Sequence, residues 1–184
     1  DRAVSNFESS KNDVSVLFWS LGNESYAGDI LAEMNRYYKE KDPDRLVHYE
    51  GVAENRPYED LISDMESQMY ASPEKIKEYL ENNPKKPFIL CEYMHDMGNS
   101  LGGMESYIRL LDQYEDYQGG FIWDYIDQAL FVKDEVTGRD VLRYGGEIKE
   151  RKSDYEISGN GILFADRTEK PAMQEVRHYY GLRR

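Results

Sequence analysis

The fold is decided by the stretch Phe88-Ile89-Leu90-Cys91-Glu92-Tyr93-Met94-His95-Asp96-Met97-Gly98-Asn99-Ser100, in which an apolar run ends at a glutamate and a polar loop. A second stretch has the same plan: Val16-Leu17-Phe18-Trp19-Ser20-Leu21-Gly22-Asn23-Glu24-Ser25. A continuous apolar run is typical of a strand that is buried on both faces, as in a parallel sheet. Barrel enzymes carry their catalytic groups where such strands end. Glu24 and Glu92 are therefore the first candidates for catalytic residues.

Strand-like and helical segments alternate between and after these two stretches. The predicted strands cover residues 16–21, 46–49, 61–69, 87–91 and 119–123, and the predicted helices cover 27–41, 72–80 and 104–114. Alternation at this spacing implies right-handed crossovers and a parallel sheet. A complete TIM (β/α)8 barrel takes roughly 250 residues, so a chain of 184 residues is expected to hold only about the second half of one.

The pattern changes after the last of these strands. Two short apolar runs around Thr137-Gly138 predict a hairpin inserted at 129–146. A last strand at 161–164 and a helix after Pro171 are expected to close the chain. We interpret residues 1–184 as a partial catalytic TIM-barrel domain of α/β class.

The amino-acid composition indicates which classes of partner and which cellular compartment to expect. The net charge of -13 argues against nucleic acid or an anionic membrane, because both favour clusters of Lys and Arg, and a neutral polyhydroxylated substrate fits better. The single cysteine, Cys91, cannot form an internal disulfide. Without a membrane span or a signal-like segment, a cytoplasmic location is expected. Residues 1–13 contain no apolar run and are interpreted as the tail of something upstream.

Two carboxylates at the same end of a sheet predict cleavage of a glycosidic bond. In a retaining glycosidase the two carboxyl groups lie about 5 to 5.5 Å apart, and one attacks the anomeric carbon while the other protonates the leaving oxygen. An alternative stays open for the first pair, since Asn23 and Glu24 would also suit a polar cap on the helix that follows near Ala27.

Three further side chains have a functional and a structural interpretation. His95 could ligate a metal with Asp96 or Glu92, but no second histidine lies at ligand spacing and a zinc site is not expected. Trp123, at the end of a strand, suits a platform for a sugar ring or ordinary core packing. Tyr70 could hydrogen-bond a carboxylate or simply pack.

The two opening motifs closely resemble the signatures of the large bacterial β-galactosidases of glycoside hydrolase family 2. The further matches are Ser67-Gln68-Met69-Tyr70, Gly119-Gly120-Phe121-Ile122-Trp123-Asp124, Tyr144-Gly145-Gly146 and Phe164-Ala165-Asp166-Arg167-Thr168. The resemblance covers nearly the whole chain. Ser25-Tyr26-Ala27-Gly28 and Tyr93-Met94-His95-Asp96-Met97 look most like the large-subunit type of lactic acid bacteria.

The resemblance implies a role for each candidate. It makes Glu24 the acid/base and Glu92 the nucleophile, at the ends of barrel strands four and seven, so that the chain would hold strands four to eight. It also implies that Asn23 hydrogen-bonds the sugar 2-hydroxyl, Tyr70 contacts the nucleophile, His95 holds a hydroxyl and Trp123 walls the galactose site.

Metal sites are implied in the same way. Glu24 would help to hold a magnesium ion, and Asn160 with the backbone carbonyl of Ile157 would match a sodium site, with the remaining ligands upstream. The chain departs from the family pattern in two places. Ser9-Ser10-Lys11-Asn12-Asp13-Val14 stands where relatives carry Arg-Asp-Lys-Asn-His-Pro, and Glu147-Ile148-Lys149 replaces a usual Asp-Phe pair.

The resulting hypothesis is retaining hydrolysis of terminal β-D-galactosides of the lactose type. The alternatives are an isolated piece that is inactive without the rest of its parent, a sugar-binding module, and a related β-glucuronidase or β-mannosidase. The expected partners are the rest of the parent enzyme and a small subunit. Open sheet edges also predict pairing with another copy or covering by a terminal segment.

Overall fold

A computed structural model describes residues 1–98, 100–144, 147 and 155–181, arranged as two compact units. The first unit comprises residues 1–91 and 113–120, and the second comprises 92–112 and 121–184. Asn99 and residues 145, 146, 148 and 149, which belong to the motifs above, lie outside the described residues. The helices are α1 Arg2–Ser10, α2 Asp29–Lys41, α3 Glu59–Ile62, α4 Pro73–Glu81, α5 Met104–Gln113 and α6 Met173–Gly181. The strands are β1 Phe18–Ser20, β2 Leu46–His48, β3 Glu66–Met69, β4 Phe88–Tyr93, β5 Tyr117–Ile122, β6 Leu130–Lys133 and β7 Asp140–Arg143.

Strands β1 and β2 pair in parallel, with Phe18 opposite Leu46 and Ser20 opposite His48. Helix α2 connects them, as the apolar spacing predicts, and buries Leu31 and Tyr38. Strands β3, β4 and β5 are neighbours in that order in a second sheet. Most candidate site residues lie in the segments that follow β1, β3, β4 and β5, whereas Glu92 lies within β4.

The core of the first unit is built on aromatic side chains. Trp19 stacks on Tyr38 with ring centroids 5.1 Å apart, and Phe7 packs against Trp19 at 5.5 Å. The indole Nε1 of Trp19 donates a hydrogen bond of 3.0 Å to Asp42 Oδ2, so the polar edge of this buried ring is satisfied. The interpretation of residues 1–13 as a tail missed a structural element, because helix α1 forms there and buries Ala3 and Phe7.

Replacing Phe7 by alanine is expected to lower the free energy of unfolding by about 3 kcal/mol, because it empties the position that covers Trp19. Urea denaturation followed by tryptophan fluorescence measures this loss. Val4 is the matched control, since it lies on the same helix and is 44% exposed. If Val4→Ala and Phe7→Ala cost the same, α1 does not contribute to the core through Phe7.

The segment 61–69 is only partly a strand. Residues Glu59–Ile62 form the short helix α3, and the extended part is Glu66–Met69. The helix is favoured by tertiary contact, because Ile62 is fully buried and its carbonyl oxygen accepts a 2.7 Å hydrogen bond from Asn35 Nδ2. Helix α4 begins as predicted, with Pro73 at its first turn and the Ser72 hydroxyl accepting from the Lys75 amide.

The second unit contains the predicted hairpin. Strands β6 and β7 pair antiparallel, from Leu130 opposite Arg143 to Lys133 opposite Asp140. The predicted last strand at 161–164 is wrong, since Leu163 forms only isolated bridges, to Ile126 and to Glu169. Helix α6 follows Pro171 as expected. Within the described ranges, every helix is too short or too polar to cross a membrane.

Candidate active site

Glu24 lies in a turn directly after β1 and its backbone is held by a buried acid. Its φ of 52° is in the left-handed region, and its N–H donates a 2.5 Å hydrogen bond to Glu50 Oε1. Glu50 is 8% exposed, whereas Glu24 is exposed. A left-handed residue other than glycine costs free energy and is kept where its surroundings fix it. Glu50 therefore fixes the conformation that presents the Glu24 carboxylate to solvent.

The residues on either side of Glu50 hold the same turn. The Tyr49 hydroxyl accepts a 2.8 Å hydrogen bond from the Ser25 amide and donates one to the Ser25 carbonyl oxygen. A Cβ at Gly51 would lie 2.7 Å from that carbonyl oxygen, so the close approach requires glycine. We call Tyr49, Glu50 and Gly51 the 49–51 clamp. Sequence reasoning missed it, because its hydrogen bonds join residues at least 24 positions apart.

The capping alternative for the Asn23-Glu24 pair is wrong. Helix α2 has its N-cap at Gly28, with no side-chain cap hydrogen bond. The Asn23 carbonyl oxygen accepts a 3.4 Å hydrogen bond from Ser25 Oγ, and the Asn23 side chain is exposed. Both polar side chains remain available to a ligand.

An open depression of about 530 Å³ lies beside Glu24 in the first unit. It is lined by Glu24, Ser25, Glu50, Arg56, Gln68 and Met69, among others. Glu66 lies in β3, is 3% exposed, and accepts hydrogen bonds of 2.6 and 2.9 Å from the Arg56 guanidinium. Such a bidentate pair is rigid. Tyr70 follows β3 with a φ of 52° and is 42% exposed.

The second unit carries the other candidates. Glu92 lies near the end of β4 and is half-buried. Just beyond it, the Tyr93 carbonyl oxygen accepts a 3.0 Å hydrogen bond from the Trp123 amide, and the Trp123 carbonyl oxygen accepts a 2.9 Å bond from the Asp96 amide. The Trp123–Asp124 peptide bond is cis. These bonds place Trp123 beside the loop that contains His95, and both side chains are half-buried.

Two buried oxygens of the second unit lack a hydrogen-bond partner among the described residues. They are Asn160 Oδ1 and Asp96 Oδ2, in residues that are 1% and 4% exposed. Burial raises the pKa of Asp96, and the positive charge of Lys170 acts in the opposite direction. A buried carbonyl oxygen without a donor is suited to a hard cation, which prefers oxygen ligands. Asn160 Oδ1 therefore has the chemistry of a cation ligand, the role that the family resemblance implies for it.

The candidate residues divide between the units. Asn23, Glu24 and Tyr70 lie in the first unit, whereas Glu92, His95, Trp123 and Asn160 lie in the second. In each unit the candidates lie at or just beyond strand ends, or in loops bound to them. This is the arrangement that α/β folds use for ligand sites.

The chain belongs to glycosyl hydrolase family 2, because the model of that family's TIM barrel domain matches residues 1–183. It is 70% identical over 98% of its length to the β-galactosidase large subunit of Latilactobacillus sakei, and 66% identical over 99% to that of Lactobacillus helveticus. It spans 29% of the length of each of these large subunits. A β-glucuronidase from Faecalibacterium prausnitzii shares the fold, with a TM-score of 0.60, 19% identity, and coverage of 99% of this chain and 34% of that one.

Proposed function

We propose that this chain carries the catalytic pair of an enzyme that hydrolyses terminal β-D-galactosides, including lactose-type substrates, with retention of configuration. The proposal rests chiefly on one observation: Glu24 follows β1 and Glu92 lies near the end of β4, in a chain that is 64–70% identical to four β-galactosidase large subunits. Two carboxylates are what a retaining glycosidase requires.

In the first step, a carboxylate oxygen of Glu92 attacks the anomeric carbon and the bond from that carbon to the aglycone oxygen breaks. Glu24 donates its proton to that oxygen, so the aglycone leaves as a neutral alcohol. The product of this step is a galactosyl ester of Glu92.

In the second step, Glu24 acts as the base. It removes a proton from a water molecule, the water oxygen attacks the anomeric carbon, and the ester bond to Glu92 breaks. Two inversions at the same carbon give net retention. Glu24 ends protonated and Glu92 ends ionised, so the pair is ready for another cycle.

The other candidate residues would position the sugar. Asn23 would hydrogen-bond the 2-hydroxyl, where contacts strengthen in the transition state. His95 would hold another hydroxyl, and the Trp123 ring would cover the apolar face of galactose. Tyr70 would donate a hydrogen bond to the Glu92 carboxylate and keep it oriented.

Cations would complete the site. The exposed Glu24 carboxylate would suit Mg²⁺, and Asn160 Oδ1, which has no hydrogen-bond partner among the described residues, would suit Na⁺ together with the Ile157 carbonyl. When bound, these ions would supply positive charge that stabilises negative charge developing in the transition state. The chain's own contribution would be the ligands themselves: the Glu24 carboxylate, the Asn160 side-chain oxygen and the Ile157 carbonyl oxygen.

Hydrolysis would require more of the enzyme than this chain. Because it spans 29% of the large subunits it resembles, sugar contacts and cation ligands are expected from other parts of the large subunit. A small subunit, or a second copy, would be a further partner. The isolated chain is expected to be inactive.

A substrate panel tests this function. The full-length enzyme should hydrolyse a chromogenic β-galactoside far faster than the matched β-glucuronide and β-mannoside, and the 184-residue chain alone should hydrolyse none. A preference for the glucuronide or mannoside would contradict the substrate assignment. Turnover by the isolated chain at the full enzyme's rate would contradict the need for other parts.

The 49–51 clamp provides a test of how Glu24 is positioned. Glu50→Ala is expected to lower kcat by about 10- to 100-fold, since misplacement of a catalytic group by 1 Å costs on the order of 100-fold. Glu50→Gln is the matched control, because its amide oxygen can still accept the Glu24 N–H. Steady-state kinetics on a galactoside distinguish the two, and equal losses would mean that the hydrogen bond does not position Glu24.

A further inference from the structure

Three different metal-ligand types converge in the first unit. His48, Glu50 and Cys91 bring an imidazole nitrogen, a carboxylate oxygen and a thiol sulfur within 4.8 Å of one another. His48 and Glu50 are buried and Cys91 is half-buried. They come from the end of β2, the turn after it and β4. Nitrogen, oxygen and sulfur together in a buried place differ from the exposed acid clusters that an acidic chain forms by composition alone.

The spacing suits a small tetrahedral ion. Zinc bonds are about 2.3 Å to sulfur and about 2.0 to 2.2 Å to nitrogen and oxygen, so ligand atoms of a tetrahedral site lie roughly 3.5 Å apart. The three ligand atoms, already within 4.8 Å of one another, would close to about that separation when a metal binds. A water molecule would take the fourth position.

The histidine is already oriented as a ligand would be. One of its ring nitrogens, Nδ1, lies 3.1 Å from Ser20 Oγ, and the other, Nε2, lies 2.7 Å from Ser67 Oγ. A metal would displace the serine from one ring nitrogen, and the other nitrogen would keep its serine partner, as metal-binding histidines normally do. Burial lowers the pKa of His48 to about 4, so protons do not compete with a metal for the ring near neutral pH.

The donor set selects the class of ion. A thiolate and an imidazole favour Zn²⁺ and Co²⁺ over Mg²⁺, which prefers oxygen ligands alone. The thiolate that forms on metal binding and the carboxylate together balance a divalent charge. Glu50 also lines the open depression beside Glu24.

We propose that His48, Glu50 and Cys91 form a binding site for a thiophilic divalent cation of the zinc class, and that occupation of this site inhibits the enzyme. Inhibition follows because Glu50 Oε1 accepts the Glu24 N–H. A metal that draws this carboxylate toward His48 and Cys91 weakens that bond and releases the Glu24 turn. The inhibitory part rests on the function proposed above, whereas the binding part does not.

Binding is tested with Co²⁺ and Zn²⁺ on the full-length enzyme in excess Mg²⁺, so that oxygen-only sites are filled. Co²⁺ should produce a thiolate-to-metal charge-transfer absorption that Cys91→Ser abolishes, and calorimetry should show one Zn²⁺ equivalent fewer in that variant. His48→Gln should weaken Zn²⁺ binding by at least about 100-fold. This exceeds the usual loss when a residue that only hydrogen-bonds a metal ligand is removed. His178→Gln, at an exposed histidine, should change nothing.

Circular dichroism checks that the variants are folded. A cobalt spectrum that is unchanged in folded Cys91→Ser, or no saturable Zn²⁺ binding by the wild-type enzyme, would overturn the site. The spectrum does not depend on catalysis, so it stands even if the enzyme fails to hydrolyse galactosides.

Inhibition is tested by kinetics. Zn²⁺ should lower the wild-type kcat by about tenfold or more, consistent with displacement of a catalytic group, and Cys91→Ser should resist it. Binding without inhibition would overturn the coupling to Glu24. Equal inhibition of the wild type and Cys91→Ser would overturn the assignment to this site. Absence of galactoside turnover before Zn²⁺ is added would instead count against the proposed function.

Discussion

Glu92→Gln in the full-length enzyme is expected to lower kcat by about 10⁴-fold or more, the scale seen when a covalent nucleophile is removed. The amide keeps the size and much of the hydrogen-bonding capacity of the carboxylate, but it cannot form the ester intermediate. Galactose binding, measured by calorimetry or by product inhibition, should change much less than kcat. The structural basis for assigning this role to Glu92 is its position. It is half-buried near the end of β4, the central strand of its sheet.

Glu115→Gln is the matched control for this prediction. It removes the same charge at an exposed position of the chain and should leave kcat within twofold of the wild type. A Glu92→Gln enzyme that keeps more than a tenth of wild-type turnover would remove Glu92 from the mechanism. A variant that also loses galactose binding would instead indicate a folding defect, which thermal denaturation would reveal.

Glu24→Gln is expected to have a large effect that depends on the leaving group. For lactose, whose departing oxygen must be protonated, kcat/KM should fall by about 10²- to 10⁴-fold, the usual contribution of a general acid. For a dinitrophenyl galactoside, whose leaving group is stable as an anion, kcat/KM should fall far less. Only the loss of proton donation lowers kcat/KM much more for lactose than for the dinitrophenyl galactoside.

The same variant tests the second step. With the dinitrophenyl substrate, the galactosyl ester should accumulate, because the base that activates water is missing, and a burst of dinitrophenolate should precede slow turnover. Glu54→Gln, which removes a carboxylate from the same depression, is the control and should behave as the wild type. Equal losses on both substrates in Glu24→Gln would assign Glu24 a binding role.

Much of the local structure was predictable because hydrophobic pattern and capping determine it. The apolar run that ends at Cys91 becomes β4, and Ser72-Pro73 begins α4 with the expected side-chain cap. Helix α1 was not predictable from runs of apolar residues. It buries Ala3 and Phe7, one turn apart, and they pack in a core cluster whose other members, such as Trp19 and Tyr38, are distant in sequence.

The candidate site shows the same division. The strand ends could be located from the sequence, and motif resemblance supplied separate roles for Glu24 and Glu92. The 49–51 clamp could not be located from the sequence, because its hydrogen bond from Glu24 to Glu50 spans 26 positions. The hydrogen-bond isolation of Asn160 Oδ1 among the described residues is likewise a product of tertiary packing.

The most direct measurement of the central claim is covalent labelling of the full-length enzyme with an activated 2-deoxy-2-fluoro β-galactoside. Fluorine at C2 destabilises the positively charged transition state, and a good leaving group still permits the first step, so the ester persists long enough for proteolysis and mass spectrometry. The account predicts one fluorogalactosyl group, on Glu92, and none in Glu92→Gln. A label on Glu24 or any other residue of an active enzyme would contradict it.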